Sequence, residues 1–411
     1  MKLNSKTISK CQISGSNDLK SIIFLGYLPP PTEMKKINSK IEEEIFYPAD
    51  LLYSPTSKLV QLNTIVNKEI LFSKDYAYTS STTKILRENF QELYRDCNKI
   101  VKISTNDLVI DIGSNDGNLL SNFKNHHRVL GITPERIGKI AIQKGIPTVI
   151  RYFDRSTAKL VLKKYGKAKV ITATNVFAHI ENVGELMKNI LKILKKDGVF
   201  ISESHYLVSL IKTNQYDTIY HEHLRYYSLS SLKYLFDKHR VKIIHAKKIN
   251  THGGSIRVYA TRSKKFKISK SVKKILDLEK KYLNWKTFGN FRKNVFKSKI
   301  NLYSILKKIK NENKTICGIG APARASTLIN YIGLDENIID YVLEIEGSKK
   351  IGNYIPGTKI PILSEKKLFV DQPDFAILFS WHIASELRIK LRKRGFKGKF
   401  IVPLPNPSVK Y

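Results

Sequence analysis

Apolar and polar positions follow different rhythms in successive parts of the chain. From about residue 86 to 262, short continuous apolar runs alternate with stretches of helical spacing: LVIDIG (108–113), RVLGIT (128–133), KVITATNVF (169–177) and GVFISES (198–204). Runs of this length predict strands buried on both faces, and their alternation with helices predicts a parallel sheet wound with helices. Residues 314–411 repeat the rhythm in TICGIGAPA, IIDYVLEI, FAILFS and KFIVPLP, which predicts a second, smaller α/β domain. Between the two, 263–313 read as a helical connector: Phe288, Phe291, Val295, Leu302, Leu306 and Ile309 keep helical spacing, and Trp285 and Gly289 mark its expected break. Residues 1–85 are irregular, with strand-like SIIFLGYL and KLVQL separated by Pro29-Pro30-Pro31 and Tyr47-Pro48, and predict a small loop-rich domain. The predicted class is α/β, with a small N-terminal domain, a central Rossmann-like domain at 86–262 and a C-terminal Rossmann-like domain at 314–411.

Composition narrows this picture. A chain of 411 residues has room for two or three domains, and 42% hydrophobic with 10% aromatic residues excludes disorder as its main state. The three cysteines, Cys11, Cys97 and Cys317, share no close spacing, which argues against a disulfide framework and for a reducing compartment. The opening MKLNSKTISKC lacks the apolar run of a signal peptide, and no stretch approaches the roughly 18 apolar residues that cross a bilayer. A cytoplasmic protein without a membrane partner is expected.

The net charge of +37 would ordinarily point to nucleic acid. Lysine, however, is spread over every segment together with many Asn and Ile, the pattern of codon bias in an AT-rich genome. The densest run, 263–314, has 17 basic against 3 acidic residues but keeps helical spacing, so it reads as a solvated helix face. Nucleic acid is therefore not the expected partner.

The candidate chemistry begins at 109–117, VIDIGSNDG, where a strand runs into a loop carrying Asp111, Gly113 and Gly117. Glycines allow a sharp turn and close backbone approach at the carboxyl end of a strand, where open α/β sheets bind small molecules. The order Asp-x-Gly-x-x-x-Gly differs from the dinucleotide fingerprint and resembles the first motif of S-adenosylmethionine-dependent methyltransferases. An acid is expected at the tip of the next strand for the ribose hydroxyls; Thr133 stands there, and Glu135 follows two residues later as its substitute. NVFAH places Asn175 and His179 in the loop zone above the sheet, with Asn175 on the cofactor side.

Further on, DTIYHEHLRYYSL gathers Tyr220, His221, Glu222, His223, Tyr226 and Tyr227 into eight residues. A His-Glu-x-x-His zinc motif fails, because Arg225 occupies the second histidine position, and His221 with His223 has no third ligand at a metal spacing. Proton transfer is the better use: an imidazole can take a proton while tyrosine hydroxyls and a second imidazole donate to a developing oxyanion. HGGS at 252–255 adds His252 and a turn.

NVFAH, DTIYHEH, HGGSIRVY, GIGAPARASTLIN, YIPGTKIPI and FIVPLP, in this order, resemble the sugar C-methyltransferases that act on nucleotide-linked 4-keto deoxysugars, over nearly the whole chain. The resemblance implies a zinc-binding N-terminal domain, a central methyltransferase domain and a C-terminal domain that helps hold the nucleotide-sugar, with S-adenosylmethionine as cofactor. It implies His223 as base, Tyr220 and Glu222 as orienting or enolate-stabilising groups, and His179 with a tyrosine of YAYTSS on the sugar, Tyr78 in the catalytic set and Tyr76 as a substrate contact. His221, His252 and Arg324 are carried over as substrate contacts, Arg324 standing where the family usually shows lysine. AST follows Arg324 in place of Gly-Asn-Thr, and Trp381-His382 replaces Trp-Asn, which leaves the nucleotide open. The family's two Cys-x-x-Cys pairs read here Cys11, Ser14 and Ser54, Ser57; serine does not replace a zinc thiolate at neutral pH, so a metal-free domain held by packing is expected. Two rivals are a sugar O- or N-methyltransferase and a degenerate, non-catalytic nucleotide-sugar-binding protein.

Overall fold

The computed structural model describes residues 4–40, 43–72 and 80–411. Its centre is a seven-stranded sheet built from β1 (Leu108–Ile112), β2 (Arg128–Thr133), β3 (Thr148–Ile150), β4 (Ala168–Thr174), β5 (Leu194–His205), β6 (Lys242–Ile249) and β7 (Ser255–Thr261). The spatial order is β3-β2-β1-β4-β5-β7-β6. β1 to β5 are parallel, whereas β7 pairs antiparallel with both neighbours. Ile110, Ile171 and Phe200 bury one face of this sheet, and Val109, Val170 and Ile201 bury the other. Apolar layers on both sides explain why the strands read as continuous apolar runs.

Strand order reverses between β1 and β4. The chain leaves β1 toward one sheet edge and β4 toward the other, so the carboxyl ends of these strands open a crevice between diverging connections. The loop after β4 is closed by the helix Val183–Ile193, whose cap Asn182 accepts a hydrogen bond from the Glu185 amide. A cap of this kind contributes about 1 kcal/mol and fixes where the loop ends.

The C-terminal unit repeats the principle. Its strands β8 (Ile316–Ile319), β9 (Tyr341–Glu344), β10 (Ile362–Ser364), β11 (Phe375–Leu378), β12 (Lys399–Val402) and β13 (Ser408–Lys410) lie in the order β10-β9-β8-β11-β12-β13. All pairs are parallel except the last. The order reverses at β8, directly before the helix Ala323–Ile332 that carries Arg324. The α/β class and its Rossmann-like sheets are those expected from the sequence.

The N-terminal sheet is antiparallel, and its strands Lys20–Leu28, Tyr47–Tyr53 and Val60–Leu62 are completed by Arg225–Tyr226 from far along the chain. One apolar cluster joins this sheet (Leu51, Val60), the 207–226 segment (Leu210, Tyr226), the long helix (Phe288, Leu302) and the C-terminal sheet (Ile377, Ile401). The DTIYHEH segment therefore lies where all these units meet. The connector consists of the helices Lys270–Lys280 and Trp285–Asn311. Its break falls at 281–284, where the Asn284 side chain accepts from the Thr287 amide, and Gly289 lies inside the second helix. Among the described residues no helix is long and apolar enough to cross a membrane.

Candidate active site

The loop after β1 turns through Gly113 at φ +76° and Gly117 at φ +79°. The Gly113 and Ser114 amides both donate to the Ile132 carbonyl, at 2.7 and 3.1 Å, which binds the loop to β2. A Cβ on Gly113 would stand 2.2 Å from Val176 Cγ2, and one on Gly117 would stand 2.7 Å from Ile146 Cδ1. Both glycines thus serve the turn and its packing against protein. Asp111 points along the sheet: Thr172 donates its hydroxyl to Asp111 Oδ1 at 2.6 Å. Burial pushes the Asp111 carboxyl up to about 7, partly offset by that hydroxyl and reinforced by Glu203.

At the tip of β2 the Thr133 hydroxyl donates to Glu135 Oε2. Thr133 is buried and Glu135 half-buried, so the threonine holds a carboxylate close to the end of β2. Asn175 follows β4 in the left-handed region, at φ 56°, with its amide donating to the Glu203 carbonyl at 2.9 Å.

The histidines of the two loops converge. The rings of His179 and His223 are 5.0 Å apart, and the His223 and Tyr220 rings 4.3 Å apart. His223 Nδ1 lies 2.9 Å from the Thr218 carbonyl. A carbonyl can only accept, so Nδ1 carries the proton and Nε2 keeps its lone pair. Nε2 faces the Tyr220 hydroxyl at 3.3 Å, which donates to it. Burial, with neighbouring His179, holds the His223 pKa well below its ordinary value, so the ring is neutral at pH 7. Burial likewise lowers His179 to about 4. Glu222 is buried beside them.

His221 faces elsewhere. It is fully buried, donates Nε2–H to the Pro48 carbonyl at 3.1 Å and packs on Tyr47, so it ties the segment to the N-terminal sheet. Tyr76 and Tyr78 lie outside the described residues.

Arg324 and His252 belong to a second cluster, at the seam with the C-terminal unit. Arg324 Nη1 donates to His382 Nδ1 at 3.2 Å and lies 3.8 Å from Asp217 Oδ2, while Nη2 donates to the His252 carbonyl at 3.4 Å. Trp381 donates Nε1–H to Asp217 Oδ2 at 2.7 Å. His205 donates from Nε2 to Gln215 Oε1 at 2.9 Å. Burial and the Arg324 charge depress His205 and His382 to about 3 and His252 to about 4, so the guanidinium stands among neutral imidazoles.

Sequence reasoning missed Asp217, Thr218 and His205 as parts of the site. Asp217 and Thr218 open the DTIYHEH block, so a signal existed for both. Thr218 acts through its carbonyl, however, which its side chain does not announce, and His205 gains its place only when β5 is set beside the 213–218 turn.

A methyltransferase-domain family model matches residues 85–246, and a C-methyltransferase C-terminal-domain model matches 250–405. The chain is 28% identical to the C-methyltransferase NovU of Streptomyces niveus, over 98% of this chain and 97% of that protein. Among solved structures it is similar to magnesium protoporphyrin IX methyltransferase from Synechocystis PCC 6803 with bound SAM, at 15% identity and TM-score 0.34 over 44% of this chain and 83% of that one. Coclaurine N-methyltransferase bound to N-methylheliamine and SAH aligns at 17% identity and TM-score 0.32, over 43% of this chain and 56% of that one. The domain matches and the likeness to NovU define a methyltransferase, on an α/β sheet whose order reverses beside the Asp111 loop. Within that class, the C-terminal unit matches the C-methyltransferase C-terminal domain, and the chain is similar to the C-methyltransferase NovU along its full length.

Proposed function

We propose that this enzyme methylates a carbon next to the ketone of a deoxysugar carried on a nucleoside diphosphate, with His223 as the base. The observation that carries the proposal is the fixed tautomer of His223: its Nδ1 proton is committed to the Thr218 carbonyl, which leaves the lone pair on Nε2, the atom that faces the Tyr220 hydroxyl, with the His179 ring packed beside it.

A proton on a carbon beside a ketone is acidic because the charge left behind moves to oxygen. A positioned base contributes roughly 10²–10⁴-fold to such a step. Hydroxyl or imidazole donors at the oxygen stabilise the enolate, and loss of one donor typically costs about 10²–10³-fold. His223 Nε2 takes the proton, and Tyr220, already directed at that atom, is placed to donate to the oxygen once the proton has moved. His179, whose ring packs on that of His223, hydrogen-bonds the sugar, and Glu222 orients it.

The residues at the tips of β1, β2 and β4 fit S-adenosylmethionine. The Glu135 carboxylate, fixed by Thr133, suits two ribose hydroxyls, while the 113–117 turn and Asn175 follow the two strands between which the sheet order reverses, where such sheets bind their ligands. When bound, that cofactor supplies an electrophilic methyl group. Arg324, at the second strand reversal, takes the diphosphate, and His252 lies beside it.

Replacing His223 by Asn is expected to abolish turnover and leave cofactor affinity in calorimetry unchanged. Full activity of that variant would refute the role of His223. Carbon-13 NMR of the product separates a carbon-bound methyl from one on oxygen or nitrogen, and an O- or N-methyl signal would overturn the choice of acceptor.

A further inference from the structure

Residues 11–16 and 54–59 fold into two copies of one turn. In the first, the Gly15 amide donates to the Cys11 carbonyl at 2.8 Å and the Cys11 amide to the Ser16 carbonyl at 2.8 Å. In the second, the Lys58 amide donates to the Ser54 carbonyl at 2.9 Å and the Ser54 amide to the Leu59 carbonyl at 2.9 Å. The fourth residue's amide reaches back to the first side chain in both, Ser14 N to Cys11 Sγ at 3.5 Å and Ser57 N to Ser54 Oγ at 3.3 Å. The fifth residue is left-handed in both, Gly15 at φ +81° and Lys58 at φ +58°. A lysine held at positive φ shows that the turn is imposed by its surroundings rather than by local preference.

The two turns face each other, with Cys11 Sγ 3.1 Å from Ser57 Oγ. Backbone amides aimed at the first side chain of paired x-x-spaced positions form a cradle for a metal bound by four thiolates. The side chains present do not fit that ion. Only Cys11 supplies a thiolate, and the Ser54 hydroxyl is already committed to Asp18 Oδ1 at 2.8 Å. A sulfur and an oxygen sharing a tetrahedral zinc would stand roughly 3.6 Å apart, from their usual bond lengths, so the closer Cys11–Ser57 approach is a direct hydrogen bond. Asp18 crosses the remaining gap, its Oδ2 accepting from the Thr56 amide at 2.8 Å. Burial alone would raise the Asp18 carboxyl, but these donors outweigh it and hold it at about 2, so the charge persists at neutral pH.

We infer that the N-terminal unit is a metal-free double knuckle cross-linked by Asp18 and the Cys11–Ser57 hydrogen bond, and that its backbone still forms a zinc site which cysteines at 14, 54 and 57 would complete. Four thiols binding zinc would release their protons to solvent and link metal affinity to stability. This inference is independent of the reading of the active site.

The test uses the full chain, wild type and the S14C/S54C/S57C variant, each titrated with Co²⁺ and melted with and without a chelator. The wild type is expected to hold no stoichiometric zinc and to melt at the same temperature with chelator. The triple variant is expected to bind one Co²⁺ per chain with a tetrahedral thiolate spectrum, and to lose melting temperature when zinc is removed. Asp18→Asn in the wild type is expected to lower the melting temperature by about 3 °C, and by less in the zinc-loaded triple variant. Stoichiometric, chelator-sensitive zinc in the wild type would overturn the inference. A triple variant that takes up no Co²⁺, or that stays unfolded with zinc, would overturn it equally.

Discussion

The indole of Trp381, in the C-terminal unit, donates its Nε1 hydrogen to the buried carboxylate of Asp217, 2.7 Å away in the methyltransferase chain segment. Asp217 lies in the turn Tyr216–Thr218, and the Thr218 carbonyl that ends this turn accepts both His223 Nδ1–H at 2.9 Å and the Tyr226 hydroxyl at 3.2 Å. A contact between two units thereby sets the position of the proposed base without touching it. Trp381→Phe keeps the apolar ring but removes the donor, leaving the carboxylate with Arg324 at 3.8 Å. A buried hydrogen bond to a charged group contributes about 1.5–3 kcal/mol. The expected outcome is a drop in kcat of about ten- to a hundredfold with an unchanged Kd for S-adenosylmethionine, measured by steady-state kinetics and calorimetry. An unaltered kcat would separate Trp381 from the positioning of His223.

The same seam carries a pH dependence. Burial first, then the Arg324 charge, depresses His382 from 6.5 to about 3, while an unfolded chain titrates near the ordinary value. Between these values the unfolded state binds the proton and the native state does not, so this contribution is full above pH 6.5 and is lost as pH falls below it. The slope for one such group is about 1.4 kcal/mol per pH unit. His382→Asn removes the titration, so any stability advantage of the wild type over this variant is expected to shrink steadily in urea melts from pH 6.5 down to 5. A difference independent of pH over that range would show that His382 titrates normally.

What the sequence disclosed and what it withheld follow from the range of the interactions. LVIDIG and RVLGIT lie in strands buried on both faces, so continuous apolar runs located them directly. The density of His and Tyr in DTIYHEH marked the segment, because side-chain chemistry is written in residue identity. The Arg225–Tyr226 strand is only two residues long and pairs with Val60 and Gln61, so no local periodicity could reveal that it completes the N-terminal sheet. Residue type alone does not separate His221 from His223, and the resemblance set both on the substrate. Only the fold turns one toward Pro48 and the other toward Thr218. Asp18 sits in a polar loop with no motif, and its role depends on a turn 36 residues further on.

If His223 removes a carbon-bound proton, exchange should occur without methyl transfer. Incubated in D₂O with S-adenosylhomocysteine in place of the methyl donor, the wild type is expected to wash deuterium into the carbon next to the ketone, as read by proton NMR. His223→Asn should abolish the exchange. Tyr220→Phe, which removes the hydroxyl 3.3 Å from Nε2, should slow it about 10²-fold while leaving the fold intact, as judged by an unchanged melting profile. Exchange in Tyr220→Phe at the wild-type rate would leave the tyrosine without a part in this step.

The Thr133–Glu135 pair gives a test on the cofactor side. Methyltransferase chemistry asks for a carboxylate at the end of β2, and here the threonine at that end holds the carboxylate of Glu135 through its hydroxyl. Glu135→Gln keeps the shape and removes the charge. Charge-assisted hydrogen bonds are worth about 1.5–3 kcal/mol, so the Kd for S-adenosylmethionine is expected to rise roughly 10- to 100-fold. Thr133→Val should weaken binding less, because the carboxylate is retained but no longer held in one place, and the double variant should be no worse than Glu135→Gln alone. Additive losses in calorimetry would mean that the two residues act separately, with Thr133 serving the strand rather than the acid.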